Sequence, residues 1–290
     1  MKDIRQLREL GLFDARVPRY TSYPPAPQFT DEVAAADTAE WITGLSPGSS
    51  VSLYVHVPFC KRLCWFCACR TQGVRSIEPL IAYVGSLERE MDMIASLIPE
   101  DVTVSRVHLG GGTPTLLPPE LLNRVTDRLE RIAPRGPEFE FSVEIDPAEI
   151  DDARLDALVA AGMNRASIGV QDFDPDIQAA IGREQSYDLT RDAINAVRAR
   201  GVASVNVDVL YGLPFQTEER IADSMQKVLS LNPDRLALYG YAHVPWMSRR
   251  QRLVPADHLP GGEDRLRLYD TARELALWDG YAEIGIDHFA

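Results

Sequence analysis

Short apolar runs rich in β-branched residues recur along the chain at 51–57, 104–109, 139–145, 165–170, 204–210 and 235–241. Between them, at 78–98, 118–133, 151–161, 186–200 and 217–230, apolar positions return every three or four residues. The short runs suit strands and the longer stretches suit amphipathic helices. Ser186 and Thr217 stand where a hydroxyl can cap the first turn of a helix. Six strands alternating with helices imply parallel pairing through right-handed crossovers. A last helix at 262–279 leads into Glu283-Ile284-Gly285-Ile286, which reads as a seventh strand. The pattern predicts an α/β protein, either a doubly wound sheet or a barrel.

The first fifty residues do not share this rhythm. Pro18, Tyr20, Tyr23, Pro24, Pro25 and Pro27 crowd residues 18–28 and favour an extended arm. A helix is expected near 31–43, and Leu45-Ser46-Pro47-Gly48-Ser49-Ser50 reads as a linker. The expected organisation is an arm and linker over 1–50 and one α/β body over 51–290. At 290 residues, 45% hydrophobic and 25% charged, the chain has the composition of a soluble globular protein. The start, Met1-Lys2-Asp3-Ile4-Arg5-Gln6, lacks an apolar signal region, and no apolar run approaches membrane-spanning length. A cytoplasmic protein without a membrane partner is expected. A net charge of −13 argues against a nucleic-acid binder but leaves room for a local arginine cluster facing an anionic substrate.

Polar and glycine residues gather where the strands end, which is where parallel α/β arrays bind ligands. The first strand ends at His56-Val57-Pro58 and the second at Gly110-Gly111-Gly112-Thr113-Pro114. The third carries Glu144 and Asp146, and the fourth ends at Gln171-Asp172. The fifth carries Asn206 and Asp208, and the sixth ends at Tyr239-Gly240-Tyr241-Ala242-His243. Three successive glycines let backbone approach a ligand, although the run matches neither GxGxxG nor a Walker loop. Carboxylates on buried strands need partners. For Glu144 and Asp208 these are either a ligand or the nearby Arg165 and Arg183. His56 and His288 are either proton carriers or structural rings.

All four cysteines lie within ten residues, Cys60, Cys64, Cys67 and Cys69, the first three spaced C-x3-C-x2-C. So tight a cluster is a poor disulfide framework. A zinc site would ordinarily draw a second C-x2-C pair from elsewhere in the chain. An iron–sulfur cluster fits the residues best, with zinc as the alternative. Three thiolates on a four-iron cluster leave one iron open to a substrate or cofactor.

At this loop the sequence resembles the radical S-adenosylmethionine (SAM) superfamily, in which an aromatic precedes the third cysteine, as in Trp65-Phe66-Cys67. The added Cys69 makes it similar to the oxygen-independent coproporphyrinogen III oxidases. The similarity runs from Pro18-Arg19-Tyr20-Thr21-Ser22-Tyr23-Pro24 to Ile286-Asp287-His288-Phe289-Ala290. The resemblance implies a partial (β/α)6 TIM-like barrel with an N-terminal extended and helical arm. It implies a [4Fe-4S] cluster on Cys60, Cys64 and Cys67 and two SAM molecules per chain. Tyr54, Phe66, Gly111 and Glu144 would serve the cluster-bound SAM. Gly112, Thr113, Gln171, Arg183, Asp208 and Ala242 would serve the second. Cys69 would work beside the radical site, and Arg19 and Tyr20 would hold carboxylates of the substrate. The implied reaction converts two propionates of coproporphyrinogen III to vinyls, giving protoporphyrinogen IX. A 5′-deoxyadenosyl radical formed from SAM begins it, and a flavodoxin- or ferredoxin-like reductant supplies the electron. Related haem chaperones and anaerobic haem-degrading enzymes are the rival readings. A monomer is expected, and the family's helical lid over the active site would lie beyond Ala290.

Overall fold

The computed structural model describes residues 4–13, 24–25 and 28–290. Helices α1 (Ile4–Glu9) and α2 (Ala35–Thr43) precede strand β1 (Ser50–Val57). The loop after β1 carries two short strands, β2 (Phe59–Cys60) and β3 (Gln72–Gly73), and leads to α3 (Glu78–Ala95). Then come β4 (Thr103–Gly111), α4 (Pro119–Leu129), β5 (Arg135–Ile145), α5 (Asp152–Ala160) and β6 (Arg165–Gln171). They are followed by α6 (Pro175–Ile181), α7 (Tyr187–Ala199), β7 (Ser204–Tyr211), α8 (Glu218–Ser230), β8 (Arg235–Gly240) and α9 (Gly262–Trp278). Strands β9 (Glu283–Gly285) and β10 (His288–Phe289) close the chain.

The six long strands lie side by side in the order β1-β4-β5-β6-β7-β8, every pair parallel. The order never reverses, which is the signature of a barrel wall rather than a doubly wound sheet. The wall is open, with β1 at one edge and the β9–β10 hairpin at the other. This is the partial (β/α)6 barrel that the resemblance implies.

Along each strand successive side chains point to opposite faces. One row meets the helices: Val55 and Val57, Val107 and Leu109, Val143 and Ile145, Ile168 and Val170, Val207 and Val209, Leu236 and Leu238 all belong to one apolar core. The other row faces the barrel interior and is polar or small. It includes His108 and Gly110, Ser142 and Glu144, Ser167 and Gly169, Asn206 and Asp208, and Tyr239. The strand register aligns these residues, pairing Glu144 with Ser167, Ser167 with Asn206, and Gly169 with Asp208.

The helix caps form as expected: Ser186 Oγ accepts from Leu189 N and Thr217 Oγ1 from Arg220 N. The seventh strand does not continue the parallel series. Residues 283–285 form the outer arm of an antiparallel hairpin, and β10 takes the place beside β8. Only Ile286 and Asp287 join the two arms, and a parallel return would need a crossover of about a dozen residues. Asp287 adopts a left-handed φ of 66° to make the turn. Helix α6 is unannounced in the sequence because seven residues hold too little periodicity to reveal it. Asp174 starts it by accepting from the backbone of Asp176 and Ile177 at 2.9 and 3.2 Å. Helix α1 is likewise unannounced, and Arg8 ties it to Glu263 on α9 at 2.7 Å. The expected extended arm, with Arg19 and Tyr20, lies for the most part outside the described residues. Among the described residues no helix is long and apolar enough to cross a membrane.

Candidate active site

Glu144, Ser167, Gly169, Asp208 and Tyr239 of the polar row meet the cysteine loop in one cavity of about 460 Å³ at the carboxyl ends of the strands. Cys60, Cys64, Cys67 and Cys69 all line it, with Phe66 between them. From the strand ends come Gly111, Gly112, Thr113, Glu144, Gln171, Asp208 and Ala242, joined by Arg183. Tyr54 is not part of this wall. Its hydroxyl bonds His56 Nδ1 at 3.0 Å, and its ring stacks on His108 with centroids 5.7 Å apart.

Two segments grip the cysteine loop. On one side, Trp65 N donates to Ile181 O at 2.9 Å at the end of α6. Gly182 follows in a left-handed conformation (φ 66°), and a Cβ there would lie 2.9 Å from the Trp65 ring. Only glycine suits both conditions. On the other side, Gln251 Nε2 donates to Phe66 O at 2.6 Å and to Ala242 O at 3.1 Å. Ser248 Oγ donates to Cys67 O at 3.0 Å, and Arg250 Nη2 to Thr71 Oγ1 at 2.9 Å. The glycine run closes the third side. Gly112 N and Thr113 N donate to Val57 O and Phe59 O, both at 2.8 Å. A Cβ on Gly112 would lie 2.5 Å from Phe59 O and 3.0 Å from Cys60 Sγ. The close approach that the glycines permit therefore includes backbone against the cysteine loop itself.

The carboxylates separate by environment. The structural alternative for Glu144 and Asp208, pairing with Arg165 or Arg183, does not form. Arg165 binds Glu140 at 3.2 Å and Arg183 binds Asp146 at 3.3 Å. Glu144 instead accepts from Gly111 N at 3.0 Å and stands 3.2 Å from His108 Nε2. Asp208 accepts from Asn206 Nδ2 at 2.8 Å, with Ser167 Oγ at 3.5 Å. Burial pushes the Asp208 carboxyl up to about 6, against the pull of Asn206. Asn206 Oδ1, on the side chain that bonds Asp208, is buried and lacks a partner among the described residues, as does Arg183 Nε. Arg183 otherwise donates to Gly169 O at 2.9 Å and lies 3.6 Å from Cys64 Sγ. Burial opposes its charge, but Asp146 and Cys64 together raise its pKa. Gln171 holds a left-handed φ of 74° at the end of β6, a conformation uncommon for a residue with a side chain.

The thiols are tuned as a group. Burial raises Cys60, partly offset by the Thr113 hydroxyl. A hydrogen bond from Cys69 draws Cys67 down to about 6, and the same bond holds the Cys69 thiol up. His56 and His288 are each held by two hydrogen bonds. His56 bonds Tyr54 Oη and Arg70 O, and His288 bonds Ile286 O and Tyr239 Oη.

Among the described residues no group of three or more His, Cys, Asp or Glu side chains converges closely enough to hold a single metal ion. The cysteines instead line a cavity wide enough for a larger inorganic centre. With the unsatisfied Arg183 Nε and the Asp208 carboxyl on residues of the same wall, the donor set fits a three-thiolate cluster and a polar ligand beside it. Arg62, Arg250 and Gln251 are wall residues that sequence reasoning missed. An arginine-rich run at 249–252 was the available signal for Arg250, and nothing local marks Gln251.

Residues 54–228 match the Radical SAM superfamily model, so the chain belongs to that superfamily, whose members use a [4Fe-4S] cluster and SAM. Within it, the chain is similar to the oxygen-independent coproporphyrinogen III oxidase of Paracoccus denitrificans, 59% identical over 290 residues, all of this chain and 64% of that protein. The protein of the same description from Pseudomonas aeruginosa is 36% identical over 283 residues, 96% of this chain and 61% of that one. Among solved structures, the coproporphyrinogen III oxidase of Escherichia coli aligns with a TM-score of 0.89 at 37% identity, over 97% of this chain and 63% of that chain. The chain thus spans somewhat less than two thirds of the length of these relatives.

Proposed function

We propose that residues 51–290 form the catalytic barrel of an oxygen-independent coproporphyrinogen III oxidase, preceded by an arm over 1–50. The reaction is the oxidative decarboxylation of two propionates of coproporphyrinogen III to vinyls, giving protoporphyrinogen IX in anaerobic haem biosynthesis. The observation that carries this reading is the convergence of three loop cysteines with the inward polar row in a single cavity. When bound, the cluster and SAM supply a carbon-centred radical able to remove hydrogen from a propionate β-carbon.

The chain's own residues bind and orient. Cys60, Cys64 and Cys67 hold the cluster, and Cys69 stays unligated beside the reacting carbon. Glu144, fixed by Gly111 N–H, would accept from the ammonium of the first SAM, and Phe66 in the same wall would contact it; Tyr54, outside that wall, would act on it from behind His56 and His108. Asp208 and Gln171 accept from the second, and Arg183 turns its free Nε proton to it. Gly112, Thr113 and Ala242 leave room at its edge. The desolvated Asp208 carboxyl and the buried Arg183 Nε, which has no partner among the described residues, both belong to residues lining the cavity and support this, since a polar ligand would bond to each. Arg19 and Tyr20 hold substrate carboxylates. The chain acts as a cytoplasmic monomer, and its partners are the tetrapyrrole and a flavodoxin- or ferredoxin-like donor.

Anaerobic reconstitution tests the cluster, by iron and sulfide analysis and electron paramagnetic resonance. Four irons per chain are expected, lost in Cys60→Ala, Cys64→Ala and Cys67→Ala and kept in Cys69→Ala. Stoichiometric zinc without iron would overturn the reading. Product analysis with coproporphyrinogen III, SAM and reductant, on this chain and on one extended to its relatives' full length, tests the reaction.

A further inference from the structure

Acidic residues outnumber basic ones in the chain by 43 to 30, yet residues 51–77 contain no Asp or Glu. They carry Lys61, Arg62, Arg70 and Arg75, all exposed. The short ribbon of β2 and β3 divides this region into two faces. Cys60 pairs with Gly73, and Val74 N donates to Cys60 O at 3.0 Å. Cys60 lines the active-site cavity. Its neighbours across and along the ribbon, Val74 and Lys61, line a second groove of about 490 Å³ instead. Ile77, Leu80 and Leu116 give that groove an apolar floor, and Lys61 and Arg75 give it a cationic rim with no carboxylate in the wall. Glu149 reaches Lys61 Nζ at 3.3 Å, but the lysine side chain stays 67% exposed. Arg75 has no ion-pair partner among the described residues.

We propose that this groove is the docking surface for an acidic one-electron carrier protein of the flavodoxin type. The inference rests on the proposal that Cys60, Cys64 and Cys67 hold a four-iron cluster. A protein of net charge −13 repels an acidic partner over most of its surface. Productive encounter then needs a local basic face, effective within roughly 8 Å at physiological salt. The groove is that face, and a single strand separates it from a cysteine ligand. A carrier seated there leaves the cavity mouth free for the tetrapyrrole. A small apolar floor with a charged rim also matches the weak interfaces of electron transfer. One electron leaves the reduced flavin of the carrier and enters the iron–sulfur centre, and no atom is transferred.

Stopped-flow bleaching of the reconstituted centre by photoreduced flavodoxin tests this. The parental rate should fall as salt rises. The double reversal Lys61→Glu with Arg75→Glu should slow the reaction by about tenfold or more at low salt. The same variant should be reduced by dithionite at close to the parental rate, which shows that the centre is intact. Arg75→Glu alone should give part of the loss, which covers the case in which Lys61→Glu disturbs the loop. Lys227→Glu, the same charge change on α8, should leave the flavodoxin rate unchanged. Oxidised flavodoxin titrated by calorimetry into the chain before reconstitution should lose affinity for the double variant. A double variant reduced by flavodoxin at the parental rate, or an equal loss with Lys227→Glu, would overturn the docking surface alone. Failure to assemble four irons would overturn the proposed function and this inference with it.

Discussion

On strand β7 two rows of side chains leave the same backbone for opposite fates. Val205, Val207 and Val209 point to the helices and are 0 to 1% exposed. Asn206 and Asp208, one residue out of step, point to the barrel interior, where Asp208 lines the cavity and Asn206 Oδ1 has no partner among the described residues. The outer row is removed from water among apolar neighbours, worth roughly 25 cal/mol per Å² of buried surface. The inner row is held in a half-enclosed space where an ionised carboxylate is disfavoured. The same strand thus stabilises the fold with one face and carries a cost on the other. Residues retained at such a cost mark where a ligand is expected.

The contrast yields three tests. Ile168→Ala, in the outer row of β6, should lower unfolding stability by about 2–5 kcal/mol in urea titrations. Iron bound per folded chain should not change, and a loss below about 1 kcal/mol would mean that the outer row is not the framework. Asp208→Asn, in the inner row, should act with the opposite sign and depend on pH. The unfolded carboxyl ionises near 4, whereas the folded one keeps its proton to about 6, so folding takes up a proton between those values. Parental stability therefore falls as pH rises through that window, by at most about 3 kcal/mol. The asparagine variant should escape that fall, so its advantage grows from pH 4 to pH 7 and then levels off. Parallel pH profiles for the two proteins would show that the site is wetter than its burial suggests. Ser186→Ala, outside both rows, should cost about 1 kcal/mol through the lost cap on α7, equally at every pH. A pH-dependent effect there would mean that the substitution reaches a titratable side chain and does not act through the cap alone.

Much of this barrel was legible along the chain. The six long strands and the helices that separate most of them follow from periodicity, because each strand must bury one face against a helix. The elements that escaped are short or closed by partners distant in sequence. Helix α6 spans seven residues, β2 and β3 two each, and β10 is fixed by pairing with β8 rather than by its own pattern. The site divides in the same way. The cysteine spacing, the glycine run and the strand-borne Glu144 and Asp208 could be read as candidates, and the structure brings them into one cavity. Tyr54, named by the resemblance alone, stands outside that wall.

The sequence by itself determined the alternation of strand and helix, the inward and outward rows, and the donor set on the loop after β1. These depend on neighbours within a few residues, where side-chain direction follows from the period of the backbone. Only the tertiary structure decided that Arg165 and Arg183 are taken by Glu140 and Asp146, which leaves Glu144 and Asp208 without an arginine among the described residues. It also decided that Ser248, Arg250 and Gln251 clamp the cysteine loop from about 180 residues away. Those choices turn on distances of a few ångströms between segments that only the folded chain brings together. A side chain that donates to a distant carbonyl leaves no mark on its own neighbours in sequence.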